Sequence, residues 1–265
     1  MTLRTLLSHL DSGQLWPAAP SDEPGFDVAR AYQQQLAVRA LRQARGEVPR
    51  GFKIGFTNRT IWPRYGVFAP IWGTVWDTTL SFCGGQGSVE LARACQPRIE
   101  PEAVLGIKSA PPADASLEQL FDSLDWVAPG FEIVQSHLRD WKFQAADTVA
   151  DGGLHARLLV GTKLPVRSVA ADALAFDAKL ATAGITLTRG DAVVDRGVGS
   201  NVLDGPLHAL HHFLNELRAC PGAPDLKAGD VVTTGTWTDA WPVETGELWT
   251  ATFDAPLSAL KVRFI

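Results

Sequence analysis

Two carboxylates at i and i+2, Glu100 and Glu102, carry the strongest chemical signal in this chain, and a third, Glu132, lies in a second apolar run. In an extended strand, i and i+2 point to one face, with backbone positions roughly 7 Å apart. Glu100 and Glu102 would then stand side by side. Ile99 precedes them and Ala103-Val104-Leu105 follows, so the surroundings are apolar. Like charges in such a place repel each other and lose hydration. A divalent cation would relieve both, and Glu132, within Phe131-Glu132-Ile133-Val134, would add a third oxygen. All-oxygen ligation suits Mg²⁺ or Mn²⁺ better than zinc or copper. The same spacing also fits the wet face of a half-exposed strand, with Pro101 marking an edge or a bulge.

Strands must hold these groups. The pattern predicts strands at Phe52-Lys53-Ile54-Gly55-Phe56, Val75-Trp76-Asp77, Arg98 to Ile107 and Trp126 to Ser136. Ile185 to Thr188 and Ala192 to Val194 flank Arg189-Gly190-Asp191 as a hairpin, and Val231-Val232, Leu248 to Phe253 and Leu260 to Ile265 make a β-rich end. Helices come first. Leu3, Leu6, Leu7 and Leu10 recur at helical spacing, and a second helix runs from about Asp27 to Arg45, where Gly46 ends it. Ser116 and Gln119 form a capping box. Asp204 is expected to cap a helix whose stripe is Leu207, Leu210, Leu214 and Leu217. Strands outnumber helices beyond residue 50, which predicts an α+β fold and not a doubly wound sheet.

The chain has 265 residues, 46% hydrophobic and 20% charged, with a net charge of −5 spread without blocks. Nothing there points to nucleic acid or an anionic membrane, and no apolar run has the length of a membrane span. Three cysteines, an odd number and widely spaced, read as reduced thiols. The first residues do not read as a signal peptide, so a cytoplasmic location is expected. Of nine tryptophans, Trp62, Trp72, Trp76, Trp237 and Trp241 fall among Gly, Pro and Thr. They would line an apolar pocket, or fill core and oligomer contacts.

From about residue 27 to 265 the chain resembles the fumarylacetoacetate hydrolase superfamily, specifically its 2-keto-4-pentenoate hydratase and 4-oxalocrotonate decarboxylase branch. Gly51-Phe52-Lys53-Ile54-Gly55-Phe56-Thr57, Pro70-Ile71-Trp72-Gly73 with Val75-Trp76-Asp77, Arg98-Ile99-Glu100-Pro101-Glu102 and Phe131-Glu132-Ile133-Val134 carry the likeness. Asp140-Trp141, Ala150-Asp151, Gly199 to Leu203, Leu226 to Val232 and Thr234-Gly235-Thr236 continue it in order. The resemblance implies a mixed β-roll catalytic domain (51–265) behind a small helical N-terminal segment (1–50), assembled as a homodimer or higher homo-oligomer. It implies Mg²⁺ (or Mn²⁺) on Glu100, Glu102 and Glu132, and a 2-oxo acid or dienol substrate in aromatic-compound breakdown. The expected reaction is hydration of a 2-hydroxy-2,4-dienoate. Decarboxylation of a 4-oxalocrotonate, acylpyruvate C–C hydrolysis and a non-catalytic partner subunit are the alternatives.

On this resemblance Lys53 and Asp77 are candidate catalytic groups. Burial of Lys53 in an apolar strand is expected to lower its pKa, so that it moves a proton or pairs with the substrate; Asp77 would orient water or Lys53. The bland alternatives are a snorkelling lysine and a turn-capping aspartate. The chain also departs from the branch. Gln135-Ser136-His137 stands where Asp-Ser-Arg is common, Ala150-Asp151-Gly152-Gly153-Leu154-His155 where Ala-Asp-Asn and a Ser are common, and Asp77-Thr78 where an Asp pair is expected. His155 is then a candidate catalytic group, and Trp72, Ser136, His137 and Thr236 are candidate substrate contacts. Either histidine fits a structural role equally well.

Overall fold

In the computed structural model, which describes residues 1–265, the chain begins with α1 (Leu3–Ser12) and α2 (Val28–Ala44), each capped by the residue before it, Thr2 and Asp27. There follow β1 (Pro49–Gly55), α3 (Trp62–Tyr65), β2 (Ile71–Trp76), β3 (Leu80–Phe82), β4 (Gln86–Val89) and β5 (Arg98–Ile107). Next come α4 (Leu117–Asp122), β6 (Leu124–Val134), α5 (Ala145–Ala150), β7 (His155–Val160), β8 (Leu164–Pro165), α6 (Val166–Val169) and α7 (Ala173–Thr182). The hairpin β9 (Gly184–Arg189) and β10 (Ala192–Val198) leads to α8 (Pro206–Ala219), β11 (Val231–Thr236), β12 (Trp241–Pro242), β13 (Leu248–Phe253) and β14 (Leu260–Phe264). No helix is long and apolar enough to cross a membrane.

The strands form two sheets. The larger runs β2-β1-β11-β5-β6-β7-β3, with β12 on β5 and β8 on β6; the smaller runs β10-β9-β13-β14-β4. The β1–β11, β3–β7 and β4–β14 pairs are parallel and the others antiparallel, so the curled sheet is mixed, as the α+β β-roll expectation had it. Strand β6 is buried from Val127 to Val134, on both faces. That burial explains a continuous apolar run where an alternating one marks a half-wet strand. Leu6, Trp16, Tyr32 and Val38 of the helical segment share one core with Phe52, Ile54 and Trp72 of the sheet.

Several local expectations shift. Trp72 lies inside β2, not in a loop. Asp204 does not cap α8; it is exposed and pairs with Arg59 at 2.7 Å. The cap comes from across the core, where Asp177 of α7 accepts from Leu207 N at 2.9 Å and pairs with His208 Nδ1 at 2.7 Å. Helix α7 itself gave no clear apolar signal, because its buried stripe of Ala173, Phe176, Asp177 and Leu180 contains that aspartate.

Candidate metal centre and its cavity

The register of β5 and β6 builds the carboxylate cluster. Glu100 faces Glu132 across the ladder and Glu102 faces Gly130, so all three carboxylates come together, with ligand atoms within 4.8 Å of one another. Glu102 and Glu132 are fully buried. The half-wet strand alternative therefore fails for Glu102, while Glu100 is half-buried. On its other edge β5 pairs with β11, where the register slips between Thr233 and Thr236. Gly235 lies in that bulge at φ 99°, and its N–H donates to Glu102 Oε2 at 2.6 Å. A side chain there would run into Thr57 Oγ1, so the bulge requires glycine.

Lys53 enters from β1. Its Nζ donates to Gly153 O at 2.8 Å and stands 3.2 Å from Glu132 Oε2. The turn that presents this carbonyl packs directly on β2: a Cβ on Gly73 would lie 1.9 Å from Gly152 O. Burial of Lys53 does disfavour its charge, but Glu132, Glu100 and Glu102 outweigh it and hold the ammonium above its ordinary range. The expected lowering is thus reversed, because three carboxylates converge on the amine from two strands distant in sequence.

Burial pushes Glu100 up to about 7, against the pull of Lys53. Burial and the two other carboxylates raise Glu102 well above the carboxylate range. Glu132 moves the opposite way: burial opposes its charge, yet Lys53 and His155 hold it below its usual value. Burial keeps His155 low. Its Nδ1 pairs with Glu132 Oε1 at 2.8 Å and its Nε2 with Thr79 Oγ1 at 2.8 Å.

Glu102 Oε1 and Glu132 Oε2 are buried without a hydrogen-bond partner. Unmet acceptors on two of three clustered carboxylates are a costly arrangement for a bare protein. They fit a divalent cation that prefers oxygen.

Lys53 and Glu100 open onto a cavity of about 520 Å³. Thr236, with its neighbours Thr238 and Trp241, lines it as well. An aromatic wall completes it: Phe56 stacks on Tyr65 at 5.0 Å, Tyr65 on Phe143 at 5.5 Å, and Arg98 lies 4.2 Å over Trp141. Arg98 sits two residues before Glu100 on the same strand face, a placement that the spacing already contained. Tyr65, Phe143 and the Thr79 contact had no signal in the sequence.

The remaining candidates lie elsewhere. Asp77 is exposed and accepts from Val48 N at 3.0 Å, which makes it the turn cap of the alternative reading. Trp72 is wholly buried against Tyr32, ring centroids 4.6 Å apart, and does not line the large cavity. Ser136 is buried and bonds within its own turn, with Leu138. His137 is paired with Asp151 at 2.6 Å and stacked on Trp16, away from the carboxylates. These four side chains are placed by packing and turn formation. His155 reaches Glu132 but does not line the large cavity.

No family model matches the chain. It is 30% identical over 243 residues to a 2-hydroxyhexa-2,4-dienoate hydratase of Comamonas testosteroni, covering 91% of this chain and 88% of that protein. The structure of 4-oxalocrotonate decarboxylase from Pseudomonas putida G7, complexed with magnesium and adipate, superposes with a TM-score of 0.85 at 26% identity, covering 100% of this chain and 99% of that one. A fumarylpyruvate hydrolase from Pseudomonas aeruginosa, in complex with Mn²⁺ and pyruvate, shares the fold at a TM-score of 0.61 and 18% identity, over 82% of this chain and 90% of that one.

Proposed function

The chain belongs to the 2-keto-4-pentenoate hydratase and 4-oxalocrotonate decarboxylase branch of the fumarylacetoacetate hydrolase superfamily, and from that premise we propose that it is a divalent-metal-dependent lyase that hydrates a 2-hydroxy-2,4-dienoate to a 4-hydroxy-2-oxo acid. The observation that carries this is the Glu100–Glu102–Glu132 cluster with Lys53 at one end of the cavity. Glu100, Glu102 and Glu132 would hold Mg²⁺ or Mn²⁺. Bound there, the cation would polarise the substrate's 2-oxygen and favour an enolate.

The chain's own groups do the rest. In the metal-free chain Glu132, Glu100 and Glu102 favour the ammonium form of Lys53, which suits its Nζ to pair with the substrate's charge or donate a proton. Gly153 O and Glu132 hold that Nζ in place from two sides. The aromatic wall suits a planar conjugated acid. The volume of about 520 Å³ leaves room for a tail longer than a five-carbon dienoate.

One observation favours the decarboxylase as a second reading. Arg64 and Arg98 line the cavity with their guanidiniums over Tyr65 and Trp141 and form no ion pair, which would suit a second carboxylate on the substrate. Homo-oligomeric assembly and cytoplasmic location belong to the same proposal; light scattering after gel filtration tests the first.

The test follows the ultraviolet absorbance of 2-hydroxypenta-2,4-dienoate with Mg²⁺, with a chelator and with Glu102→Gln. Metal-dependent loss that the variant abolishes is expected. A stable absorbance, together with CO₂ release from 4-oxalocrotonate, would replace the hydratase with the decarboxylase.

A further inference from the structure

Glu132 offers its two oxygens to different neighbours. Oε1 meets His155 Nδ1 at 2.8 Å, while Oε2 has no hydrogen bond and faces Lys53 Nζ at 3.2 Å. A carboxylate can only accept, so the proton of the first bond sits on Nδ1. Behind the ring, Nε2 meets Thr79 Oγ1 at 2.8 Å. That hydroxyl is itself fixed, because Trp76 N donates to it at 3.1 Å. The Thr79 backbone is tied to β7 as well, accepting from Leu158 N at 2.8 Å. Glu132, His155 and Thr79 are all buried. The imidazole is thus clamped at both nitrogens inside the core.

We propose that His155, anchored by Thr79, is a positioning residue: it reserves Glu132 Oε1 and leaves Oε2, which has no hydrogen bond and faces Lys53, as the oxygen of Glu132 that would take a divalent cation. This deepens the metal-centre reading above and rests on it. An unrestrained carboxylate rotates and offers either oxygen or both. A hydrogen bond from a held imidazole fixes its plane and its single free oxygen. Monodentate ligation by Glu132 would leave more of a divalent cation's coordination shell to water and substrate. Sequence alone places Thr79 and His155 far apart; the parallel pairing of β3 with β7 brings them together.

The test uses Mn²⁺ alone as the probe, titrated by electron paramagnetic resonance of the free ion. The variants are His155→Leu, His155→Asn, Thr79→Val and Thr79→Ser, each checked by circular dichroism. His155→Leu and Thr79→Val should weaken Mn²⁺ binding by about 10- to 100-fold and alter the bound-ion spectrum. Asn carries an N–H near the Nδ1 position and Ser keeps the hydroxyl, so both conservative variants should stay within about threefold of wild type. If His155→Leu does not fold, the Thr79 pair decides. Leu and Val variants that bind within about twofold of wild type, with an unchanged spectrum, overturn the positioning role alone. A wild-type chain that binds no Mn²⁺ overturns the metal centre and the positioning role with it.

Discussion

Glu100 on β5 lies directly across the antiparallel ladder from Glu132 on β6. Glu102 sits two residues along the same strand face, its Oε2 held by Gly235 N and its Oε1 left without a partner. In the metal-free chain these groups gain little from being charged together. Glu102→Gln is therefore expected to leave metal-free stability within about 1 kcal/mol of wild type or above it. Wild type at a hundredfold excess of Mg²⁺ over its Kd should gain about 2.7 kcal/mol, and the variant almost none. Thermal unfolding with Mg²⁺ and with a chelator measures both. A variant that keeps the full metal-induced shift would remove Glu102 from the site.

Protons and the cation compete for the same oxygens. Burial holds Glu100 at about 7 and raises Glu102 well above the ordinary carboxylate range, so metal binding is expected to displace protons. Mn²⁺ affinity is expected to fall as pH drops from 8 to 6. A flat profile would show that the carboxyls are already ionised without metal.

Lys53 balances the buried charge. Lys53→Met removes the cation and leaves Glu132 with the hydrogen bond from His155 Nδ1 alone. Breaking a buried pair from one side costs about 3–5 kcal/mol, so the metal-free variant should melt well below wild type. Its stabilisation by Mg²⁺ should exceed that of wild type, since the ion then supplies the missing positive charge. Activity on the dienol substrate is expected to drop by about 100-fold or more. Equal melting temperatures without metal would contradict the pairing.

The His137–Asp151 pair predicts a pH-dependent contribution to stability. Burial opposes the charge on His137, but Asp151 outweighs it and raises the imidazole above its ordinary value. A raised histidine stabilises the fold fully below its unfolded value of about 6.5 and loses that contribution as pH rises through the folded value. The stability gap between wild type and His137→Leu should therefore narrow as pH rises from 6 to 9. Chemical denaturation across that range checks it, and a widening gap would mean the ring is neutral in the fold.

Two tryptophans separate packing from binding. Trp72 is fully buried against Tyr32, and Trp72→Ala should cost about 3–5 kcal/mol. Trp141 lines the cavity beneath Arg98, so Trp141→Ala should raise KM for the dienol while changing stability less. Isothermal denaturation and steady-state kinetics on both variants distinguish the roles. Trp72→Ala with native stability would place that ring outside the core.

The sequence by itself determined the three carboxylates, the lysine and the strands that carry them. Glu100 and Glu102 share a strand face because period two is a local property of extended chain, and the apolar runs around Glu132 and Lys53 already imply burial. The caps at Asp27 and Ser116 were equally local. Only the tertiary structure decided what surrounds them. Asp77, Ser136 and His137 have the right chemistry, but turns and core packing hold them away from the carboxylates, which no spacing reveals. The direction of the Lys53 shift depends on three charges brought in from β5 and β6, and the His155 clamp depends on the β3–β7 pairing. Burial and electrostatics act through space, and the chain sets them only once its distant strands have found their register.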